Sequence, residues 1–133
     1  MEDIFVGRVM SADVLTVTPD TLVETAAQTM LGEGVGSVVI VDGDGRLEGI
    51  LTTTDFVRIV AERDPKDDTP VGEYMSTDVV TTTADASIRE AADAMIQHGV
   101  HHLPVVDGDH VIGVVSTTDL TAYLSHARTP SPS

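Results

Sequence analysis

The 133-residue chain contains no cysteine, no tryptophan and one lysine, Lys66. Without cysteine it can form no disulfide and offers no thiolate as a nucleophile or a metal ligand. Aromatic residues make up only 3% of the chain, so the core must be built from Val, Ile, Leu, Ala and Met. No apolar run approaches the roughly 20 residues of a membrane span, and residues 1–10 lack the hydrophobic region of a signal peptide. We therefore expect a cytoplasmic protein.

Basic residues are scarce: 7 Lys and Arg oppose 22 Asp and Glu, giving a formal net charge of −15. This balance argues against a nucleic-acid partner, because binding to a phosphate backbone requires a basic surface. A Lys-poor acidic composition is typical of proteins that work in high salt, but also of an ordinary acidic, solvated surface. In either case, local dipoles and hydroxyl groups would have to hold an anionic ligand.

The sequence is an internal duplication. The segment at 6–14, VGRVMSADV, aligns with VGEYMSTDV at 71–79, and the offset of 65 continues without a gap to the middle of each half. One residue is then lost in the second half. From there the offset is 64, so that Asp55 aligns with Asp119.

A chain of this length forms one compact domain or two small halves that share a core. The duplication divides it into a first copy at 4–63, a linker at 64–70, a second copy at 71–127 and a disordered tail at 128–133. The linker is polar and flanked by prolines, and the tail contains prolines among small polar residues.

Each copy shows the same predicted order: helix, strand, helix, strand, strand, helix. Capping boxes at Thr21–Glu24 and Ser87–Glu90 predict the starts of the long helices, and Gly32, Gly34 and Gly99 their ends. Short apolar runs and Asp-Gly turns predict hairpins whose strands cover 37–41, 47–52, 103–106 and 111–116. Closing helices are predicted at 56–62 and 120–124.

The most informative stretch is Gly49-Ile50-Leu51-Thr52-Thr53-Thr54-Asp55, which recurs as Gly113-Val114-Val115-Ser116-Thr117-Thr118-Asp119. Each copy predicts a buried strand, a hydroxyl-bearing turn and a carboxylate that opens a helix. Hydroxyls and free N–H groups at a helix N-terminus favour an anion, and an ionised Asp can accept both vicinal hydroxyls of a ribose. Helix capping alone is the alternative, and the two roles can coexist.

Two further polar stretches recur at Thr16–Pro19 and Thr81–Ala84. Their backbone groups could hydrogen-bond to the edge of an adenine while apolar neighbours enclose the ring. An edge strand running into a turn is the alternative.

The histidines of the second half have no counterpart in the first. A metal site at His98-x-x-His101 would lack cysteine and a suitably spaced carboxylate, so imidazoles that contact a phosphate are the favoured interpretation. No serine lies in a nucleophile elbow, and we therefore expect no enzyme activity.

Several of these features together resemble a tandem pair of cystathionine β-synthase (CBS) domains. They are Met-Ser at 10–11 and 75–76, Gly-Val at 34–35 and 99–100, HHLPVVD at 101–107, and the closing Gly-h-h-[Ser/Thr]-x-x-Asp. The resemblance implies an α+β fold: a free-standing pair of β-α-β-β-α units packed through their sheets with pseudo-two-fold symmetry.

The resemblance also implies a function. Such modules bind an adenosyl ligand (AMP, ADP, ATP or S-adenosylmethionine), form homodimers and signal to a partner protein as regulatory sensors. Magnesium could accompany a nucleotide phosphate, and no other cofactor, nucleic acid or membrane is expected. A ligand-free dimerisation scaffold is the alternative.

In such pairs a cleft draws on both copies. The resemblance therefore implies that the closing motif of each copy works with the Thr-rich stretch of the other. The expected ligand-binding residues are Thr16, Val17, Thr18, Pro19, Thr52, Thr53, Asp55, Thr81, Thr82, Thr83, Ala84, His101, His102, Pro104, Ser116, Thr117 and Asp119. Because the first copy has Gly36, Ser37 and Val39 where the second has two histidines and a proline, the two clefts should differ.

Overall fold

The computed structural model describes residues 4–62 and 69–128, without the side chains of 126–128. Its elements in chain order are α1 (Val6–Val9), β1 (Thr16–Val17), α2 (Val23–Glu33), β2 (Ser37–Val41), β3 (Leu47–Thr52), α3 (Thr53–Ala61), a 3₁₀ turn (Val71–Glu73), α4 (Ile88–His98), β4 (His102–Asp107), β5 (His110–Ser116) and α5 (Thr117–Arg128). The helices and two small sheets confirm the α+β class. Most of the predicted linker and tail lies outside the described residues. None of the described helices has both the length and the hydropathy needed to cross a bilayer.

The chain forms two compact units that differ from the two sequence copies. Among the described residues, the three-stranded unit consists of 14–62, 69–79 and Asp109–Val111; the two-stranded unit consists of 4–13, Val80–Gly108 and 112–128. The leading segments of the two copies, residues 4–13 and 69–79, are thus exchanged. Each belongs to the unit that contains the remaining strands and helices of the other copy.

In the three-stranded unit, β1 pairs in parallel with β2, and β2 forms an antiparallel hairpin with β3. All five residues of β2 are buried, and α2 packs Ala26 and Met30 into the same core. Val71, from the leading segment of the second copy, is fully buried in this core. Ser76 of that segment exchanges two backbone hydrogen bonds with Ile50, of 3.0 and 3.1 Å.

In the two-stranded unit, β4 and β5 form the hairpin, and α4 packs Ala91 and Met95 onto it. Val6, in the leading segment of the first copy, is fully buried there. The counterpart of β1 is reduced to a single parallel bridge between Thr82 and Val105. The predicted second occurrence of this strand is therefore present only as one bridge.

The helix ends agree only partly with the sequence prediction. Left-handed glycines end α2 and α4 at Gly34 and Gly99 as expected, but Gly32 lies inside α2 and ends nothing. The capping box at Ser87–Glu90 forms, with bonds of 2.9 and 3.0 Å.

The capping box predicted at Thr21–Glu24 was wrong. The N-cap residue of α2 is Leu22, with no side-chain cap. The backbone N–H of Val23, the first residue of α2, donates to the carbonyl of Thr69 at 2.8 Å. A backbone partner from elsewhere in the three-stranded unit therefore replaces the cap.

Candidate ligand site

The carboxylate of Asp55 is fully engaged by its own copy. The backbone N–H and the hydroxyl of Thr52 donate to its Oδ2 at 2.8 and 3.1 Å. Arg58, one turn further along α3, donates from Nη1 to Oδ1 at 3.3 Å. The side chain of Asp55 is 15% exposed and that of Arg58 is 66% exposed. Both carboxylate oxygens therefore already have protein donors.

The carboxylate of Asp119 is engaged on one side only. The N–H of Ser116 donates to its Oδ2 at 2.9 Å, and the N–H of Asp119 donates to the Ser116 hydroxyl at 3.1 Å. The position that corresponds to Arg58 is Ala122. Within the described part of the chain, no donor contacts Oδ1 of Asp119. Capping is thus present in both copies, and Asp119 keeps one oxygen available for a ligand.

A matching backbone bond joins each closing helix to the segment before the hairpin. Thr53 N–H donates to the carbonyl of Gly36 at 3.1 Å, and Thr117 N–H donates to that of His101 at 3.0 Å. The residue whose carbonyl accepts this bond is therefore a glycine in the first copy and a histidine in the second. It brings the backbone of His101 and His102 next to the first turn of α5.

The two imidazoles differ in environment. His101 is exposed and His102 is half-buried. Burial is the main cause of the lowered pKa of His102; the neighbouring His101 lowers the pKa further, and the Asp119 carboxylate raises it. His102 is therefore held toward its neutral form, and an anion beside it would favour the charged form.

The Thr16 stretch offers backbone groups on the open edge of its sheet. Val39 N–H donates to the carbonyl of Leu15 at 3.1 Å. In a parallel pairing of this register, residues 15 and 17 carry the bonds from β1 to β2. The N–H and C=O of Thr16 consequently point away from β2.

The Thr81 stretch repeats this arrangement around Thr82, whose N–H and C=O bond to Pro104 and Val106 at 3.0 and 2.9 Å. The backbone groups of Thr81 and Thr83 therefore point to the open edge. Four of the predicted carbonyls already accept a backbone hydrogen bond. Ala84 accepts from Gly7 N–H and Pro19 from Gly72 N–H, each at 2.9 Å. The carbonyls of Thr18 and Thr83 accept from residues three positions further along the chain, at 3.0 and 3.2 Å.

The predicted residues of the first copy fall into two groups at opposite ends of its sheet. Thr52 pairs with Ser37 at the start of β2, whereas Val17 pairs with Ile40, three residues further on. At the rise of a strand, that separation is about 10 Å. The Thr16–Pro19 stretch and the carboxylate of the same copy therefore do not meet at one end of the sheet.

Arg58 contacts the site but was not among the residues predicted from the sequence. Its spacing of three residues from Asp55 was the available signal, since such pairs are neighbours on a helix surface. As for metal, the described residues contain no group of three or more His, Asp or Glu side chains arranged to hold an ion.

The comparisons with known proteins agree with this architecture. The CBS domain profile matches residues 6–62 and 71–126. The chain is 34% identical over 111 residues to the CBS domain-containing protein YhcV of Bacillus subtilis, covering 84% of this chain and 79% of that one. It is also 34% identical over 125 residues to a homoserine O-acetyltransferase of Methanosphaerula palustris, covering 93% of this chain but only 25% of that enzyme.

Among solved structures, the CBS domain pair of protein MJ0100, in complex with 5′-methylthioadenosine and S-adenosyl-L-methionine, superposes with a TM-score of 0.85. The match is 25% identical and covers 91% of this chain and 99% of that one. Each copy matches the family on its own, and the fold is shared with a solved pair. The chain belongs to the CBS domain family and carries two tandem copies of the domain.

Proposed function

We propose that this chain is a regulatory sensor that binds AMP, ADP, ATP or S-adenosylmethionine. The observation that carries the proposal is the geometry at the start of α5. There Oδ1 of Asp119, which has no donor among the described residues, lies in the same turn as two hydroxyl-bearing residues and beside His101 and His102. The adenosyl ligands of the MJ0100 pair support the choice of ligand class.

Each part of the ligand has a candidate partner. Asp119 accepts the ribose hydroxyls, since an ionised carboxylate offers only acceptors. The hydroxyls of Ser116 and Thr117, the N-terminus of α5 and the imidazoles face the 5′ substituent, where a phosphate is favoured. Backbone groups on the open sheet edges, of Thr16 in the three-stranded unit and of Thr81 in the two-stranded unit, are separate candidates for contacts with a base. A di- or triphosphate would bring its own magnesium, and we propose no other cofactor.

A thermal-shift series tests the ligand class. Binding to the folded state alone raises the melting temperature with ligand concentration. We expect at least one of AMP, ADP, ATP and S-adenosylmethionine to raise the melting temperature of the wild-type chain. The 2′,3′-dideoxy analogue of that ligand should raise it far less. Asp119→Asn should weaken binding about tenfold or more, the cost of losing charge-assisted hydrogen bonds. Unchanged affinity in that variant would refute the ribose assignment.

We further propose that the sensor works as a homodimer. Leu31 on α2 and Ile96 on α4 occupy matched positions of the two copies and are 83% and 80% exposed. Val60 and Leu124 form a second matched pair, 76% and 53% exposed. Large apolar side chains that are exposed at the same place in both copies favour a second copy of this chain as their partner. Signals would pass to a partner protein through this assembly.

A ligand-free dimerisation scaffold is the second candidate. The observation in its favour is Asp55, whose hydrogen bonds are fully explained by helix capping and by Arg58. The scaffold predicts an intact dimer and no thermal shift with any adenosyl compound. The same thermal-shift series therefore separates the two candidates.

A further inference from the structure

We propose that Arg58 weakens the first-copy site by occupying the carboxylate oxygen of Asp55 that a ribose would need, so that adenosyl ligands bind first at Asp119. This inference rests on the proposed function. Arg58 donates to Oδ1 of Asp55 at 3.3 Å, while Thr52 holds Oδ2. A ribose can hydrogen-bond fully to Asp55 only after the guanidinium moves away.

The backbone bonds around the two carboxylates match, and the residue three positions after each carboxylate differs. The N–H that caps each carboxylate lies at 2.8 Å from Asp55 and 2.9 Å from Asp119. The backbone bonds that join each helix start to the segment before the hairpin are 3.1 and 3.0 Å. Three residues after each carboxylate stand Arg58 and Ala122, both exposed. The difference in carboxylate availability therefore follows from this one position.

The size of the effect follows from the exposure of Arg58. Exposed ion pairs contribute little, which means that the guanidinium competes with a ligand and does not block it. Hydrogen bonds from a diol to a carboxylate are charge-assisted and can displace such a pair. We therefore expect the Arg58 pair to weaken the first-copy site about three- to fivefold.

Adenosine is the probe that isolates this competition. It carries the ribose diol but no phosphate, so the positive charge of Arg58 cannot attract it. Calorimetric titration of the wild-type chain should show a tighter and a weaker step, and Asp119→Asn should remove the tighter one. Arg58→Ala should strengthen the weaker step about three- to fivefold, and Ala122→Arg should weaken the tighter step by a similar factor.

Two controls separate competition from altered folding or net charge. Arg89→Ala removes the same charge from an exposed position of α4 and should change neither step. For 2′,3′-dideoxyadenosine, which lacks the diol, Arg58→Ala and Ala122→Arg should leave the affinity unchanged, whereas a general structural change would alter it.

Two results would bear differently on the role of Arg58 and on ligand binding by the chain. If the wild-type chain binds adenosine and neither Arg58→Ala nor Ala122→Arg changes either step, the role of Arg58 is refuted while the sensor proposal stands. If the wild-type chain binds neither adenosine nor any adenosyl ligand of the thermal-shift series, the sensor proposal fails and this inference with it.

Discussion

At the scale of single residues, the half-buried His102 should make folding sensitive to acid. Its pKa is lowered in the folded state, chiefly by burial and next by His101, while Asp119 opposes both. The unfolded chain therefore takes up this proton at a higher pH than the folded chain, starting near the ordinary value of 6.5. The stability that the neutral imidazole contributes is present above that value and is lost as the pH falls through the folded pKa.

We predict that the melting temperature of the wild-type chain falls more between pH 7.5 and 5.5 than that of His102→Gln. The comparison is between the melting-temperature decreases of the two proteins. Acid also reduces the repulsion among carboxylates, but it does so equally in both. His98→Gln, at the exposed end of α4, is the matched control and should behave like the wild type. Equal slopes for wild type and His102→Gln would show that this imidazole does not control the acid response.

The sequence pattern predicted which residue types lie at the site better than it predicted which of their hydrogen-bonding atoms are already occupied. The recurrence of the Asp55 motif at Asp119 predicted two carboxylates at two helix starts, and the structure has both. The pattern could not show that one carboxylate is paired and the other partly free, because that depends on the direction of the Arg58 side chain. Likewise, the pattern at Thr81–Ala84 could not show that Gly7 already occupies the carbonyl of Ala84.

At the scale of elements, two glycines allow the leading segments to lie against the hairpins. A Cβ added at Gly113 would come within 2.8 Å of the Ser11 carbonyl oxygen and 2.9 Å of Met10 Sδ. At Gly49 the corresponding contacts are 2.8 Å to the Ser76 oxygen and 2.7 Å to Met75 Sδ. In each case one contact is to backbone, which cannot move aside without breaking the bridge.

We predict that Gly113→Ala lowers the free energy of unfolding by about 1–3 kcal/mol, the usual cost of overpacking. Gly32→Ala is the control: it lies inside α2, where an added Cβ would meet nothing within 4 Å, and it should stabilise by up to about 1 kcal/mol through helix propensity. Urea denaturation of both variants gives the comparison. A Gly113→Ala protein as stable as the wild type would mean that the Ser11 bridge is dispensable.

The elements that depend on local signals were predicted well, and those that depend on distant partners were not. Apolar runs and Asp-Gly turns correctly predicted β2 and β3, and Ser87 correctly predicted the start of α4. The start of α2 was misplaced because Thr69, far along the chain, supplies its capping bond. The repeat shows which segments are alike but not which segments pack together, so the exchange of leading segments could not be predicted.

At the scale of the whole molecule, the charge of −15 should make stability rise with salt. The described arginine–carboxylate ion pairs involve Arg46 and Arg58, whose side chains are mostly exposed, and such pairs add little. Repulsion among the many carboxylates therefore outweighs these attractions, and salt screens it.

We predict that the melting temperature rises by a few degrees between about 0.05 and 0.5 M sodium chloride, where the screening length falls from roughly 14 to 4 Å. The combined variant Asp13→Asn, Asp78→Asn and Asp107→Asn removes three exposed negative charges and should show a smaller rise. A melting temperature that falls with salt would indicate that ion pairs outweigh the repulsion.

The matched apolar residues on α2 and α4 lead to the prediction about assembly. Leu31 and Ile96 are more than three-quarters exposed, and replacing them by glutamine should change the stability of the monomer little. In a two-fold dimer each substitution acts twice, and burial of one Leu or Ile side chain contributes about 1.5–3 kcal/mol.

The double variant Leu31→Gln, Ile96→Gln should therefore raise the dimer dissociation constant by at least about tenfold, measured by sedimentation equilibrium at several chain concentrations. Thr25→Gln, exposed on another face of α2, is the control and should leave it unchanged. Because glutamine adds no charge, the repulsion between two acidic chains is the same in all three proteins, and only the apolar contact differs. A wild-type chain that remains monomeric, or a double variant that dimerises as tightly as the wild type, would rule out these two side chains as the dimer contact.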